Sequence, residues 1–313
     1  MKKWVLKACF QKTISFLPFK HKLNFFFQKH ITKGVFLSDE YFEDRLIHAS
    51  NHLRGYSTLS KNPIPHKTLE LGTGWYPVVP FMLYLSGSSE IHSIDIAKLT
   101  NKERLTTTLK KLAFSLSSPD KKHLFSQFNL IPQRIEALNE LSKNASQYSE
   151  DEICKGLNLH LSITDASQTQ FDTSSFDLVH SNNTFEHVYP AILKNILKEF
   201  SRLTKKDGGV MSHFVDMSDH FAHFDKSISI YNFLRFSDSQ WKWIDNSVQP
   251  MNRLRLPDYL KMYEDLSIPV SLVENRPGNL AELARLKIDK KFSKYTPEEI
   301  AVSHSYIYSL FNR

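Results

Sequence analysis

The chain has 313 residues, a formal net charge of +7 at pH 7, 41% hydrophobic residues and two cysteines. This length suits one large domain or one domain with appendages, and the composition is that of an ordinary globular protein with no apolar run near the roughly 20 residues that cross a bilayer. Cys9 and Cys154 lie far apart and form no Cys-x-x-Cys pair, which argues against a disulfide framework and a cysteine-based zinc site and for reduced thiols in the cytoplasm.

Residues 1–38 hold eight lysines and no acidic residue, so the remainder of the chain is close to neutral. A nucleic-acid substrate gripped by a basic face is therefore not expected. The same segment is rich in large apolar groups such as Trp4, Phe10, Phe16 and Phe25. Lysines at 7 and 12 interrupt any signal-peptide core. Two readings stand: a basic aromatic element through residues 1–33 that rests on an anionic membrane face, or helices that cap the substrate side of the fold. Residues 1–66 are expected to form two or three helices, the last over 39–54 with Ser38-Asp39-Glu40 as its start. Asn62-Pro63-Ile64-Pro65 then makes a stiff linker.

The most informative stretch follows. Thr68 to Leu71 reads as a buried strand, Gly72-Thr73-Gly74 as a turn that lets a ligand approach bare backbone, and Val78 to Ser86 as a helix facing that ligand. A dinucleotide fingerprint would need glycine where Pro77 stands, and no Lys-Ser/Thr pair marks a P-loop. Glu70, just before the first glycine, suits a ligand carrying an ammonium or sulfonium charge. Ile91 to Asp95 reads as a second strand ending in an acid twenty-five positions after Glu70, placed to hold two ribose hydroxyls. Two helices are expected between Ala97 and Asn158, split near Ser117-Ser118-Pro119-Asp120. Strands are expected at 159–164, followed by Asp165-Ala166, and at 176–181, followed by Asn182-Asn183-Thr184-Phe185-Glu186-His187-Val188. An amphipathic helix over 191–203 and a fifth strand over 208–214 come next. Beyond an insertion at 216–255 lie a helix over 256–266, a sixth strand over 268–273, a helix over 279–286 and a final antiparallel strand over 303–311.

These motifs, in this order, resemble those of class I S-adenosylmethionine-dependent methyltransferases, whose first motif is Glu-x-Gly-x-Gly-x-Gly. Tyr76 stands where the third motif glycine would be. The resemblance covers about 67–215 closely. It implies a doubly wound, Rossmann-like α/β sheet of seven strands over 67–313, with a helical N-terminal extension. It further implies S-adenosylmethionine as cofactor, held by Glu70, Gly72, Thr73, Gly74, Asp95, Ile96, Asp165, Ala166, Ser181 and Asn182, with Glu186-His187-Val188 similar to a segment of many small-molecule methyltransferases.

A hydroxyl acceptor must also lose a proton, and His213, Asp216, Asp219, His220, His223 and Asp225 cluster just past the fifth strand. His220 is the expected base, partnered by Asp216 or Asp219, with His187 as its rival. Asp216, Asp219 and His220 could ligate Mg²⁺, but their spacing is not diagnostic and no metal is assigned. Tyr231 to Asn246, with Trp241 and Trp243, fits either a carbohydrate site or simple packing of the insertion, and with Asn252-Arg253-Leu254-Arg255 resembles surface-polysaccharide-associated methyltransferases. A sugar or glycolipid hydroxyl is the expected acceptor. C- or N-methylation of another metabolite, or a catalytically idle binding fold, are the alternatives.

Overall fold

A computed structural model describes residues 2–18 and 36–312. Helices α1 (Lys3–Ile14) and α2 (Asp39–Leu59) precede the first strand; the part of the N-terminal expectation that falls on 19–35 lies outside the described residues. Strands β1 (Lys67–Leu71), β2 (Glu90–Asp95), β3 (Leu159–Ile163), β4 (Leu178–Asn182), β5 (Asp207–Asp216), β6 (Leu272–Arg276) and β7 (His304–Asn312) form one sheet in the order β3-β2-β1-β4-β5-β7-β6. The first five run parallel, and β7 is antiparallel to both β5 and β6. This is the expected seven-stranded, doubly wound, Rossmann-like α/β sheet.

Both faces of the sheet are covered, which is why β1 and β4 read as continuous buried runs rather than alternating ones. On one face α2, α3 (Val78–Ser86) and α4 (Lys102–Ser117) pack Phe42, Leu46, Phe81, Leu85 and Leu109 against Ile91 and Leu178. On the other, α7 (Pro190–Leu203) and α10 (Leu256–Asp265) pack Leu197, Phe200 and Tyr259 against Leu69, Val179 and Met211. Between β2 and β3 the chain forms α4, a 3-10 turn at Pro119–Phe125, α5 (Pro132–Lys143) and α6 (Glu150–Gly156). Three helices thus replace the two expected. The overlooked start signal was the Ser149–Glu152 capping box.

The sixth strand begins four residues later than expected. Ser267, at φ 54°, turns the chain, and Ile268 folds back under α10 through its N–H to the Tyr263 carbonyl before Leu272 pairs with Tyr308. The helix expected over 279–286 is the single turn α11 (Leu280–Leu283).

The insertion folds as α8 (His220–Phe224), a 3-10 turn at Asn232–Arg235 and α9 (Asp238–Ile244). A third core holds it together: Trp4 and Ala8 of α1 join Phe221, Tyr231, Phe233, Trp241, Met251, Leu283, Phe292 and Ile300. Trp4 N–H donates to Asp225 Oδ2 at 3.0 Å, and Lys12 Nζ donates to the Lys242 and Asp245 carbonyls. Alpha-1 is therefore bound onto the insertion.

Arg255 ties this layer to the sheet. Its fully buried guanidinium donates to the carbonyls of Met217 (2.7 Å), Ile300 (2.6 Å) and Val302. Arg255→Met would leave three buried carbonyls without donors, and we expect it to cost about 3 kcal/mol or more of unfolding free energy. A denaturant melt with an unshifted midpoint would refute that role.

Candidate functional site

The glycine turn sits at the carboxyl end of β1, where open α/β sheets bind ligands. Gly72 has φ 89°, and a Cβ there would lie 2.5 Å from Thr184 Oγ1, so only glycine fits the turn against the β4 loop. Gly74 has φ 62°, but a Cβ built on it meets nothing closer than 3.9 Å. The space above Gly74 is thus open to a ligand. Tyr76, in place of the motif's third glycine, packs against the first core with its ring 6.3 Å from Tyr41 on α2, and so turns away from that space.

Two carboxylates frame the turn. Asp95 Oδ2 accepts the Gly74 N–H at 3.2 Å and Oδ1 accepts the Ala97 N–H at 3.3 Å. Asp95 and Thr73 both face an open groove of about 800 Å³ that runs along β3. Burial raises the Asp95 pKa. Glu70, 4% exposed, accepts a hydrogen bond from Ser93 Oγ at 2.8 Å, and burial pushes its pKa up to about 8. A neighbouring cation would reverse that shift.

The other expected cofactor residues divide. Thr73 Oγ1 lies 2.7 Å from Ser93 Oγ, and the Ile96 side chain is 76% exposed beside Asp95. The Asp165 carboxylate accepts from Ser167 N (2.8 Å) and Oγ (2.7 Å), while Ala166 is buried. Ser181 Oγ is engaged by His213 Nδ1 at 2.8 Å, and Asn182 Oδ1 by His52 Nε2 at 2.7 Å. Ser181 and Asn182 therefore present backbone rather than free side-chain oxygens.

A second cluster closes the ends of β4 and β5. The Asp216 Oδ2 atom lies 3.2 Å from His220 Nε2, and Oδ1 lies 3.3 Å from His304 Nε2. These imidazoles hold the Asp216 pKa low against the opposing pull of burial. Of the two carboxylates weighed for His220, Asp216 is the neighbour. Asp219 instead caps α8 through the Phe221 N–H and accepts from Asn232 Nδ2, and burial pushes its pKa up to about 6. His187 meets His220 edge-on, ring centroids 4.8 Å apart, with its Nδ1 2.6 Å from the Pro250 carbonyl. The rival bases thus share one site.

His213 stacks between Phe185 and Phe200 in the core, and His223 lies against His220 with Nε2 3.1 Å from Ser218 Oγ. Asp225 is taken by Trp4 and Ser227. Trp241 packs inside the insertion, its N–H donating to the Met251 carbonyl, whereas Trp243 is 80% exposed.

Sequence reasoning gave no role to Glu186, which lies on a 3-10 turn (Phe185–His187) directly after β4. It is buried, burial pushes its pKa up to about 8, and it lines a cavity of about 10 Å³ with Asp216 and His220. The Glu-His dipeptide one turn past a strand was the available signal.

Residues 128–212 match a family model described as a methyltransferase domain. The match spans β3, β4 and the first part of β5, with Asp165, Asn182, Glu186 and His187, and begins beyond the glycine turn. No curated protein matches the sequence. Among solved structures, the chain is similar to the 1,6-didemethyltoxoflavin-N1-methyltransferase of Burkholderia thailandensis, bound to 1,6-didemethyltoxoflavin and S-adenosylhomocysteine (10% identity, 87% of this chain and 80% of that one, TM-score 0.44). It is also similar to a chain from the Haloferax volcanii complex of the Trm112 methyltransferase activator with a methyltransferase (14%, 88% and 93%, 0.45). The YcgJ protein of Bacillus subtilis is a third (14%, 85% and 99%, 0.42). At such values the likeness carries no substrate.

Proposed function

We propose that this chain, an S-adenosylmethionine-dependent methyltransferase, transfers the methyl group to a hydroxyl of a small acceptor, a sugar or glycolipid intermediate of surface-polysaccharide synthesis. One observation carries the choice of a hydroxyl: Glu186, His187, Asp216 and His220 converge at the ends of β4 and β5, on the loop whose Thr184 packs on Gly72 and at the end of the strand beside it. An alcohol oxygen needs a group that takes its proton as the methyl arrives, whereas a neutral amine can be methylated first and lose its proton afterwards.

The residues present fit the cofactor. Gly74 leaves its cradle open, Asp95 is placed for ribose hydroxyls, and buried Glu70 suits the cationic amino-acid end. When bound, the cofactor supplies an electrophilic methyl group on a sulfonium. Glu70 and Asp95 fix its orientation, and the Asp216–His220 pair orients the acceptor and takes up its hydroxyl proton.

The sugar reading rests on Trp243 of the insertion and on half-exposed Tyr189 just before α7, which offer flat apolar faces, with the Tyr189 hydroxyl donating to Asp245 at 2.9 Å. Contact with the cytoplasmic membrane face is supported by exposed Leu6 and Phe10 on α1 and Phe16 and Leu17 just past its end, in a segment that also exposes Lys2 and Lys3.

Calorimetric titration with S-adenosylmethionine and S-adenosylhomocysteine, with NAD as control, tests the cofactor. We expect both to bind, and Asp95→Ala to weaken them about 30- to 100-fold by removing charged acceptors for two hydroxyls. Absence of binding to the wild type would sink the enzyme reading.

A further inference from the structure

Glu186, His187 and His220 each offer a ligand atom, and these atoms lie within 4.8 Å of one another. Two come from the turn after β4 and one from the start of α8, so the set exists only because β4 and β5 are neighbours. Neither carboxylate oxygen of Glu186 has a hydrogen-bond partner among the described residues, though the residue is only 4% exposed. That side chain lines the small cavity it shares with Asp216 and His220. A buried carboxylate without partners stays charged only if a counter-charge joins it.

The histidines are set up to supply lone pairs. His187 Nδ1, 2.6 Å from the Pro250 carbonyl, must carry the hydrogen of that contact, which leaves Nε2 bare. Metal-bound histidines are oriented in this way by a carbonyl or a carboxylate behind the ring. Asp216, 3.2 Å from the His220 ring, is positioned to orient the second imidazole.

We propose that Glu186, His187 and His220 bind one divalent transition-metal ion of the zinc class. Two imidazoles and one carboxylate favour such an ion over Mg²⁺ or Ca²⁺, which prefer oxygen ligands. Ligands about 2.0–2.1 Å from a tetrahedral ion stand roughly 3.3 Å apart, so each side chain closes in by under about an ångström. Three protein ligands leave a coordination position open, as in catalytic zinc sites.

On the methyltransferase reading above, that position takes the acceptor hydroxyl. The ion would acidify it, and Asp216, which lines the same cavity, would take up its proton. The new O–CH3 bond forms as the S–CH3 bond breaks, and the electron pair of the broken bond stays on sulfur. His220 then serves the deprotonation as a ligand.

The test uses the full-length protein, freed of metal by a chelator and dialysed. Zn²⁺ binding is followed by calorimetry and Co²⁺ binding by visible absorption. We expect one ion per chain, an intense Co²⁺ spectrum of low coordination number, and a Zn²⁺-dependent rise in melting temperature. Isosteric Glu186→Gln should weaken binding by about 100-fold or more, whereas His123→Gln, on an exposed turn, should not. If Glu186→Gln fails to melt cooperatively, His187→Gln takes its place. No stoichiometric binding to the wild type, or unchanged affinity in Glu186→Gln and His220→Gln, would overturn the site. S-adenosylhomocysteine is titrated into the same preparations. A protein that binds S-adenosylhomocysteine but no stoichiometric metal sinks only this inference, whereas one that binds the metal but not S-adenosylhomocysteine sinks the methyltransferase reading and leaves the metal site standing.

Discussion

Acid should unfold this protein cooperatively between about pH 6 and pH 4. Three histidines, two on the sheet and one on α2 above it, are sealed from solvent. His52 reaches Ser212 Oγ (2.6 Å) and Asn182 Oδ1 (2.7 Å), and burial lowers its pKa to about 3. His180, fully buried on β4 with its ring 4.8 Å from that of His52, has no partner for either ring nitrogen among the described residues. Burial first, and the neighbouring imidazoles second, keep the pKa values of His180 and His213 far below the ordinary 6.5.

The sign follows from where protons bind. Below pH 6.5 the unfolded chain protonates these rings and the folded chain does not. Their stabilising contribution is therefore complete above pH 6.5 and is lost as the pH falls toward the folded values. Each such ring withdraws about 1.4 kcal/mol per pH unit. His48, His92 and His223 are shifted the same way. Glu70 and Glu186, raised to about 8, oppose them, because the folded state holds protons that unfolded glutamates release above about 4.5.

With three to four net protons, roughly 4–5 kcal/mol per pH unit is withdrawn, against a typical total stability of about 5–15 kcal/mol. Far-ultraviolet circular dichroism across an acid titration measures it directly. His180→Met, which removes two unpaired buried polar atoms, should raise stability at pH 5 by about 1–2 kcal/mol and lower the midpoint. A protein still folded at pH 3.5, or a midpoint indifferent to His180→Met, would contradict the account.

Substituting His220 by glutamine should lower kcat for methyl transfer by about 10²- to 10⁴-fold while leaving S-adenosylhomocysteine affinity within about twofold of wild type. His220 sits past β5, against Asp216, and makes none of the contacts that frame Gly72 and Gly74. The loss should therefore appear in turnover rather than in cofactor binding. The assay is release of S-adenosylhomocysteine with an acceptor that the wild type accepts. Equal losses of turnover and cofactor affinity would instead mark His220 as a support of the fold. Undiminished turnover would point to an acceptor that needs no proton removed.

Local chain chemistry carried much of this architecture. The run Thr68–Leu71, the glycines at 72 and 74, and the helix over Val78–Ser86 are each written in neighbouring residues, because a buried strand, a positive-φ turn and an apolar helix need no distant partner to be recognised. The same holds for Asp95 at the end of β2 and for the β5 strand. Boundaries set by pairing were not legible: β6 starts at Leu272 because Tyr308 on β7 stands opposite it.

The candidate site divides along the same line. The sequence could bring His220 and both carboxylates, Asp216 and Asp219, into one stretch. It could not choose between them, since one faces His220 and the other is spent on capping α8. Glu186 looked like part of a motif and nothing more. Only the adjacency of β4 and β5 brings it and His187 to His220, across more than thirty residues of chain. Neighbours decided the rest: burial works against a charge on both rings, but His180 has no partner among the described residues, whereas Asp216 beside His220 raises its pKa.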